Sequence, residues 1–88
     1  MIKYSDVDDA MDRANATEYG LGGSVWTKNV KEGAKLADQI AAGTVWVNEH
    51  AELTGAPFGG YKQSGLGREL GKADISTFTE SQTLSLTK

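Results

Sequence analysis

The segment LGGSVWTKNVKEGAKLADQIAAGTVWV, residues 21–47, contains the pattern that decides the fold. Its first part predicts a strand over residues 21–27, centred on Val25 and Trp26, because β-branched and aromatic side chains favour extended backbone. Apolar residues then recur at helical spacing from Val30 to about Ala42, which predicts an amphipathic helix. A strand pattern followed directly by a helix pattern indicates a mixed architecture.

The boundaries of this helix and of the next strand have their own signals. Asn29, followed three residues later by Glu32, forms a capping pair, and Gly43 is expected to end the helix. Residues 44–47, Thr-Val-Trp-Val, lack polar alternation and predict a strand covered on both faces. Strand, helix and strand in this order form a βαβ unit with parallel strands. The predicted fold class is therefore α/β.

The two tryptophans fall at matching points of the two predicted strands. Trp26 belongs to the first strand and Trp46 to the second. We expect both rings to pack in the core, since ligand stacking is the less common use of a tryptophan in a strand.

Another helix is predicted before this unit. Ser5 and Asp6 can cap it, and Asp8 stands three residues after Ser5 as in a capping box. We expect a helix of about ten residues that stops near Gly20, because glycine fits the left-handed C-terminal position without steric cost.

The chain after Asn48 loses its periodicity for about twenty residues. The stretch contains Phe58 and Tyr61 besides several glycines. A flexible linker does not have this composition, so we predict a loop with a defined shape. Helical spacing returns from Leu70 to Phe78, and residues 83–87 then alternate as in a strand. This last strand has no hairpin partner nearby, and an unpaired strand is a template for pairing with another chain.

Composition limits the size and the class of the protein. The 88 residues allow one domain, and leucine, valine, isoleucine and phenylalanine supply only 17 of them. This is close to the level of about 20% below which a packed core is doubtful. The formal charge of −3 is too small to favour disorder by repulsion, so we expect a piece that normally buries surface against something else.

Several classes of function are disfavoured. The nine basic residues are scattered and outnumbered by twelve acidic ones, which argues against nucleic-acid binding. No stretch has the apolar length of a signal peptide core or a membrane span, so we expect no membrane association and a cytoplasmic location. The absence of cysteine excludes a disulfide framework and thiolate metal sites.

The glycines do not match a nucleotide-binding motif. Gly60 and Gly65 have the spacing of a P-loop, but Leu66 and Gly67 follow where Lys and Ser or Thr are required. The dinucleotide fingerprint also fails, because Gly71 comes one residue too late. Tight turns and close backbone approach are the favoured explanation of the glycines.

The single histidine, His50, follows Glu49 and could form a proton-transfer pair. Adjacent residues on extended backbone point to opposite faces, however, and no Gly-x-Ser-x-Gly elbow accompanies them. One histidine with scattered carboxylates is also a weak basis for a metal site. Independent hydrolytic chemistry is therefore a minor alternative, which predicts turnover that is lost on His50→Ala.

The longest specific motif is PFGGYKQSGLGRE, Pro57 to Glu69. Tyr19-Gly20-Leu21, the run from Gly43 to Asn48, and Thr79-Glu80 accompany it. Together these motifs resemble the C-terminal segment of the aldehyde dehydrogenase family, and the resemblance covers almost the whole sequence. Family members oxidise an aldehyde to a carboxylic acid with NAD or NADP, using a cysteine nucleophile and a glutamate-activated water.

The resemblance implies that the catalytic parts lie elsewhere. The chain contains no cysteine, and in a full-length relative the nucleophile, the general base and the cofactor domain would lie upstream. We expect the chain to bind no cofactor alone, to be inactive alone, and to require the remainder of the dehydrogenase polypeptide. The implied partners are a small aldehyde and further copies of the enzyme, in a dimer or tetramer.

The resemblance also implies that the chain consists of two structural parts. Residues 1–79 are expected to form the C-terminal part of the catalytic domain, and residues 80–88 the terminal strand of the oligomerisation sheet. Leu84 and Leu86 would then serve assembly. The runner-up hypothesis is a non-enzymatic module that self-associates or docks onto a partner through this strand.

Site residues follow from the same comparison of motifs. Phe58 matches the aromatic residue that lines the aldehyde entrance, with packing of the loop as the alternative. Glu49, His50 and Leu53 belong to the loop from Glu49 to Leu53, which falls where relatives vary their substrate selectivity. Glu69 matches a residue linked to proton movement in some relatives, although an ion pair or a helix N-terminus would explain an acid equally well.

Arg68 is expected to have a structural role. Its guanidinium suits a tie between the loop and main-chain carbonyls, or a carboxylate such as Glu80. Lys62 and Ser64 match the family motif without a role that the sequence explains. The segment between Asn48 and Pro57 lacks the large aromatic residues that many relatives have there, so the aldehyde stays undefined.

Overall fold

A computed structural model describes all 88 residues of the chain. The elements in chain order are helix α1 (Val7–Asn15), strand β1 (Tyr19–Gly20), strand β2 (Gly22–Val25), helix α2 (Val30–Ala37), strand β3 (Thr44–Val47), strand β4 (Tyr61–Lys62) and a 3₁₀ helix (Asp74–Phe78). This order confirms the predicted α/β class.

Strands β2 and β3 form a parallel pair, with Gly22 opposite Thr44 and Val25 opposite Val47. Helix α2 connects them and packs against both. Gly33 makes this close packing possible, because a Cβ at that position would lie 2.6 Å from Thr27 Cγ2 and 3.0 Å from Val47 Cγ1. The predicted βαβ unit is confirmed.

Helix α2 begins as predicted and ends early. The Asn29 side chain accepts a hydrogen bond from the Glu32 N–H at 3.3 Å and caps the helix. The helix ends at Ala37 instead of about Ala42, so the prediction that Gly43 ends it is wrong. The Asn15 side chain explains the early end: it bonds the main chain of Gln39 and Ala41, each at 2.8 Å, and holds them outside the helix.

Helix α1 is capped by Asp6, whose side chain accepts a hydrogen bond from the Asp8 N–H at 3.1 Å. It ends at Asn15, and the prediction that it reaches the neighbourhood of Gly20 is wrong. The reason is that Gly20 belongs to β1, which pairs antiparallel with β4. This two-residue ladder joins segments more than forty positions apart, and periodicity cannot reveal it.

Only one of the two tryptophans is buried. Trp46 is 8% exposed and Trp26 is 67% exposed, so the predicted core role of Trp26 is wrong. Strand β2 ends at Val25, and the register sets Ser24 opposite Trp46. The Trp26 indole N–H donates to Ser24 Oγ at 3.1 Å on the surface.

The interior contains very few large side chains. The buried residues are Gly20, Gly33, Ala42, Trp46 and Gly60. The expectation that β3 is covered on both faces is not met, since only Trp46 of this strand is buried. Main-chain segments that approach each other at glycine make up most of the interior.

The C-terminal part extends away from the sheet. Of the predicted helix over residues 70–78, only the 3₁₀ turn from Asp74 to Phe78 forms. Residues 79–88 have no regular structure, so the strand predicted over residues 83–87 is absent from this chain. Leu84 and Leu86 are 77% and 83% exposed, and the whole chain measures 69 × 24 × 22 Å. A strand requires a partner, and no segment of this chain supplies one.

Candidate functional site

The site begins at the end of β3, where Asn48 turns the chain. Its backbone is left-handed, with φ of 58°. Its side chain accepts a hydrogen bond from the Thr27 N–H and donates one to the Thr27 carbonyl, each at 2.7 Å. The turn is therefore fixed to Thr27, two residues beyond the end of β2.

Beyond this turn the chain folds back over the sheet. The imidazole of His50 lies on the indole of Trp46, with 4.3 Å between the ring centroids and 44° between the ring planes. Thr44 and Trp46 point to the same face of β3 because side chains alternate along a strand. This face forms the floor of the site.

The opposite wall comes from the motif between Pro57 and Glu69, in which Phe58 and Glu69, near its two ends, pair with each other. Phe58 and Glu69 exchange main-chain hydrogen bonds of 2.6 and 2.8 Å. This pairing sets both side chains along the edge of one cavity.

The cavity has a volume of about 500 Å³. Its wall consists of Thr44, Trp46, His50, Ala51, Glu52, Leu53, Phe58, Glu69 and Leu70. Four residues expected at the substrate or proton-transfer site thus meet here: His50, Leu53, Phe58 and Glu69. Glu49, the fifth, is not part of the wall.

The remaining wall residues carry weaker signals in the sequence. Trp46 was assigned to the core alone, although residues of equal parity on β3 share the face that Thr44 presents to the cavity. Glu52 lies inside the segment Glu49–Leu53 that was expected to vary with substrate. Leu70 carries no comparable signal, because irregular backbone brings it to the wall. Leu70 has a left-handed backbone, with φ of 63°.

The wall is acidic and aromatic. Among its residues are two carboxylates, Glu52 and Glu69, and no lysine or arginine. The buried Nε1 of Trp46 has no hydrogen-bond partner within the chain. A buried indole N–H normally has an acceptor, so Trp46 Nε1 is an unsatisfied donor within this chain.

Arg68 ties the glycine-rich motif together. One of its guanidinium nitrogens, Nη1, donates to the carbonyls of Gly60 and Gly67 at 3.0 and 2.8 Å. The guanidinium also lies 5.7 Å from the centroid of the Tyr61 ring. These contacts are with main-chain carbonyls and an aromatic ring, and not with Glu80.

Lys62 and Ser64 attach the same motif to the N-terminal half. The Lys62 Nζ donates to the carbonyls of Asn15 and Thr17 at 2.8 and 3.1 Å, at the C-terminal end of α1. Ser64 Oγ accepts a hydrogen bond from the Gly20 N–H at 2.9 Å. The two residues thus hold the loop against α1 and β1.

No group of three or more histidine, cysteine, aspartate or glutamate side chains is placed to hold a metal ion. No helix combines the length and the apolar character needed to cross a lipid bilayer.

Known proteins with a similar sequence belong to one family. A model of the aldehyde dehydrogenase family matches residues 1–84. An aldehyde dehydrogenase of Enchytraeus buchholzi is 47% identical over 85 residues, which are 96% of this chain and 17% of that protein. The chain therefore belongs to the aldehyde dehydrogenase family.

Solved structures agree with this assignment. An aldehyde dehydrogenase of Mycobacterium tuberculosis in complex with NAD+ is 48% identical, with a TM-score of 0.84 over 88% of this chain and 16% of that one. The NAD+ complex of a Bacillus cereus aldehyde dehydrogenase is 47% identical, with a TM-score of 0.82 over the same shares. The chain spans 16–17% of the length of these relatives.

Proposed function

We propose that this chain is the C-terminal catalytic-domain segment of an NAD(P)-dependent aldehyde dehydrogenase that oxidises a small aldehyde to a carboxylic acid. The cavity between β3 and the motif from Pro57 to Glu69 carries this proposal. It brings Phe58, Leu53 and His50 together around one space, as expected of a segment that shapes an aldehyde entrance. Glu69, which lines the same cavity, is the candidate proton carrier.

The glycine-rich loop between Pro57 and Glu69 does not fit a nucleotide cofactor. The glycine-rich loop is filled from within: a Cβ at Gly59 would overlap the Gly67 carbonyl, and Arg68 occupies the carbonyls of Gly60 and Gly67. The loop also opens no helix whose N-terminal N–H groups could bind a phosphate. The cofactor, NAD or NADP, is therefore assigned to the remainder of the polypeptide, together with the nucleophile.

The test compares two purified proteins, the 88-residue chain and the complete dehydrogenase polypeptide that carries it. We expect the complete polypeptide to reduce NAD or NADP in the presence of an aldehyde and to release the carboxylic acid, identified by mass spectrometry. We expect no turnover from the 88-residue chain. Turnover by the chain alone, or none by the complete polypeptide with any aldehyde and either cofactor, would contradict the proposal.

A second candidate function is self-association without catalysis. Leu84 and Leu86 are exposed on a segment without regular structure, and residues 80–88 are the candidate strand of an oligomerisation sheet. Mass-resolved size measurement and amide exchange of the 88-residue chain separate the two functions. A discrete, protected oligomer favours the assembly module, whereas an unprotected or aggregating chain favours a segment that depends on its parent enzyme.

A further inference from the structure

Asn48 sets the direction of the backbone after β3. Its left-handed backbone is uncommon for a residue other than glycine, but asparagine tolerates it. Two residues later, His50 lies on Trp46. An extended backbone advances by about 3.3 Å per residue, so without this turn His50 would move away from Trp46 and the cavity would lose one wall.

The carboxamide of Asn48 extends the parallel ladder by one step. The Asn48 N–H donates to the Val25 carbonyl at 2.9 Å, which continues the strand pairing. The side chain then bonds both the N–H and the carbonyl of Thr27 at 2.7 Å, as a neighbouring peptide group would. A carboxylate at this position would lack the donor, and a longer amide would not have the same reach.

Thr27 connects this turn to α2. Its Oγ1 accepts a hydrogen bond from the N–H of Asn29, the residue that caps the helix, at 3.1 Å. The end of β2, the start of α2 and the turn after β3 therefore meet at one threonine. Asn48 itself does not line the cavity.

We propose that Asn48 is a positioning residue for substrate selection, because its two side-chain hydrogen bonds to Thr27 fix the direction of residues 49–53 across the cavity mouth. The inference rests on the proposed function, since selection requires an enzyme that admits an aldehyde to this cavity.

The test uses three variants of the complete dehydrogenase polypeptide. Asn48→Asp keeps the acceptor and removes the donor; Asn48→Gly keeps the backbone conformation and removes both, and it remains usable if Asn48→Asp does not fold. Asn29→Asp is the matched amide-to-carboxylate control: aspartate also caps a helix, and the donor that it removes bonds Glu32 Oε2 at 3.3 Å and not Thr27.

Both Asn48 variants are expected to change the ratio of kcat/KM between a bulky and a small aldehyde by about three- to tenfold, through the KM of the bulky one. The kcat for the small aldehyde should stay within about twofold, and Asn29→Asp should leave the ratio unchanged. Amide exchange in peptides covering residues 21–28 and 49–56 should accelerate in the Asn48 variants only.

An unchanged ratio in an active parent enzyme would overturn the inference, even with faster exchange, since Asn48 would then serve stability alone. Unchanged exchange with a changed ratio would overturn the proposed cause. A parent that oxidises no aldehyde would instead refute the proposed function, and the selective role with it. Activity of the unmodified parent thus tells the two failures apart.

Discussion

Phe58 and Glu69 are joined by two main-chain hydrogen bonds, from the Phe58 N–H to the Glu69 carbonyl at 2.6 Å and from the Glu69 N–H to the Phe58 carbonyl at 2.8 Å. The pair closes the motif into a loop and places an aromatic ring and a carboxylate on one wall of the cavity. The position of one side chain is thereby coupled to the position of the other.

Replacing Phe58 by alanine in the complete enzyme should alter aldehyde selectivity. Removal of the ring enlarges the cavity, so kcat/KM for a bulky aldehyde should rise relative to a small one by about tenfold. Steady-state kinetics with two aldehydes measure the ratio. Phe78→Ala is the control, because Phe78 is 85% exposed and lies outside the cavity. Equal ratios in the parent and in Phe58→Ala, with lower stability, would assign Phe58 to packing.

Gly43→Ala should strongly destabilise the protein. A Cβ at this position would overlap the carbonyl oxygen of Gly59, and main chain cannot move aside as a flexible side chain can. We expect a loss of about 3 kcal/mol or more in the free energy of unfolding, seen as a lower urea midpoint of the complete polypeptide.

Gly55→Ala and Gly67→Ala are the controls for this substitution. A Cβ at either position has no heavy atom within 4 Å, so both variants should unfold near the parent midpoint. A midpoint for Gly43→Ala equal to theirs would mean that the approach of residue 43 to Gly59 is not tight.

Lys62→Met should loosen the attachment of the motif to α1. The variant keeps the aliphatic stem but loses the hydrogen bonds of Nζ to the carbonyls of Asn15 and Thr17. Because the lysine is exposed, we expect a cost of about 1 kcal/mol, measured by urea denaturation. Lys28→Met, at an exposed position in the turn before α2, should cost much less; an equal cost would argue that the Nζ contacts contribute nothing.

Charges on the C-terminal segment should prevent assembly if residues 80–88 form an intersubunit strand. Leu84 and Leu86 share one face of such a strand, so the double variant Leu84→Asp/Leu86→Asp should lower the mass of the complete enzyme in solution. Ser85→Asp/Thr87→Asp adds the same charge on the opposite face and should retain the parent mass. Light scattering after size exclusion measures both, and an unchanged mass for the leucine variant would refute this role.

The elements that the sequence predicted are those encoded by nearby residues. The helix cap at Asn29 depends on a residue three positions away, and the pairing of β2 with β3 follows from one short connection. Trp26 was misassigned because its burial depends on strand register, which the local pattern does not specify. The predicted strand over residues 83–87 is absent because no segment of this chain pairs with it.

The residues of the site also fall into those that the sequence predicted and those that it did not. The family motif led to Phe58 and Glu69, and both line the cavity. Lys62 and Ser64 had no predicted role, because their partners Asn15 and Gly20 lie more than forty positions upstream. Such contacts depend on the finished tertiary structure and leave no periodic signal in the sequence.

An interior made largely of glycine separates two kinds of mutational intolerance. Gly20, Gly33 and Gly60 are buried where the segment meets itself, so any side chain added there would disturb its own folding. Large apolar residues such as Leu66 and Ile75 are exposed, and their replacement would be felt only where another part of the enzyme covers them. A saturation mutagenesis map of the whole dehydrogenase would thus locate the interface between this segment and the rest of the enzyme. Glycines that tolerate no substitution would mark the interior of the segment, and aliphatic residues that tolerate none would mark the interface.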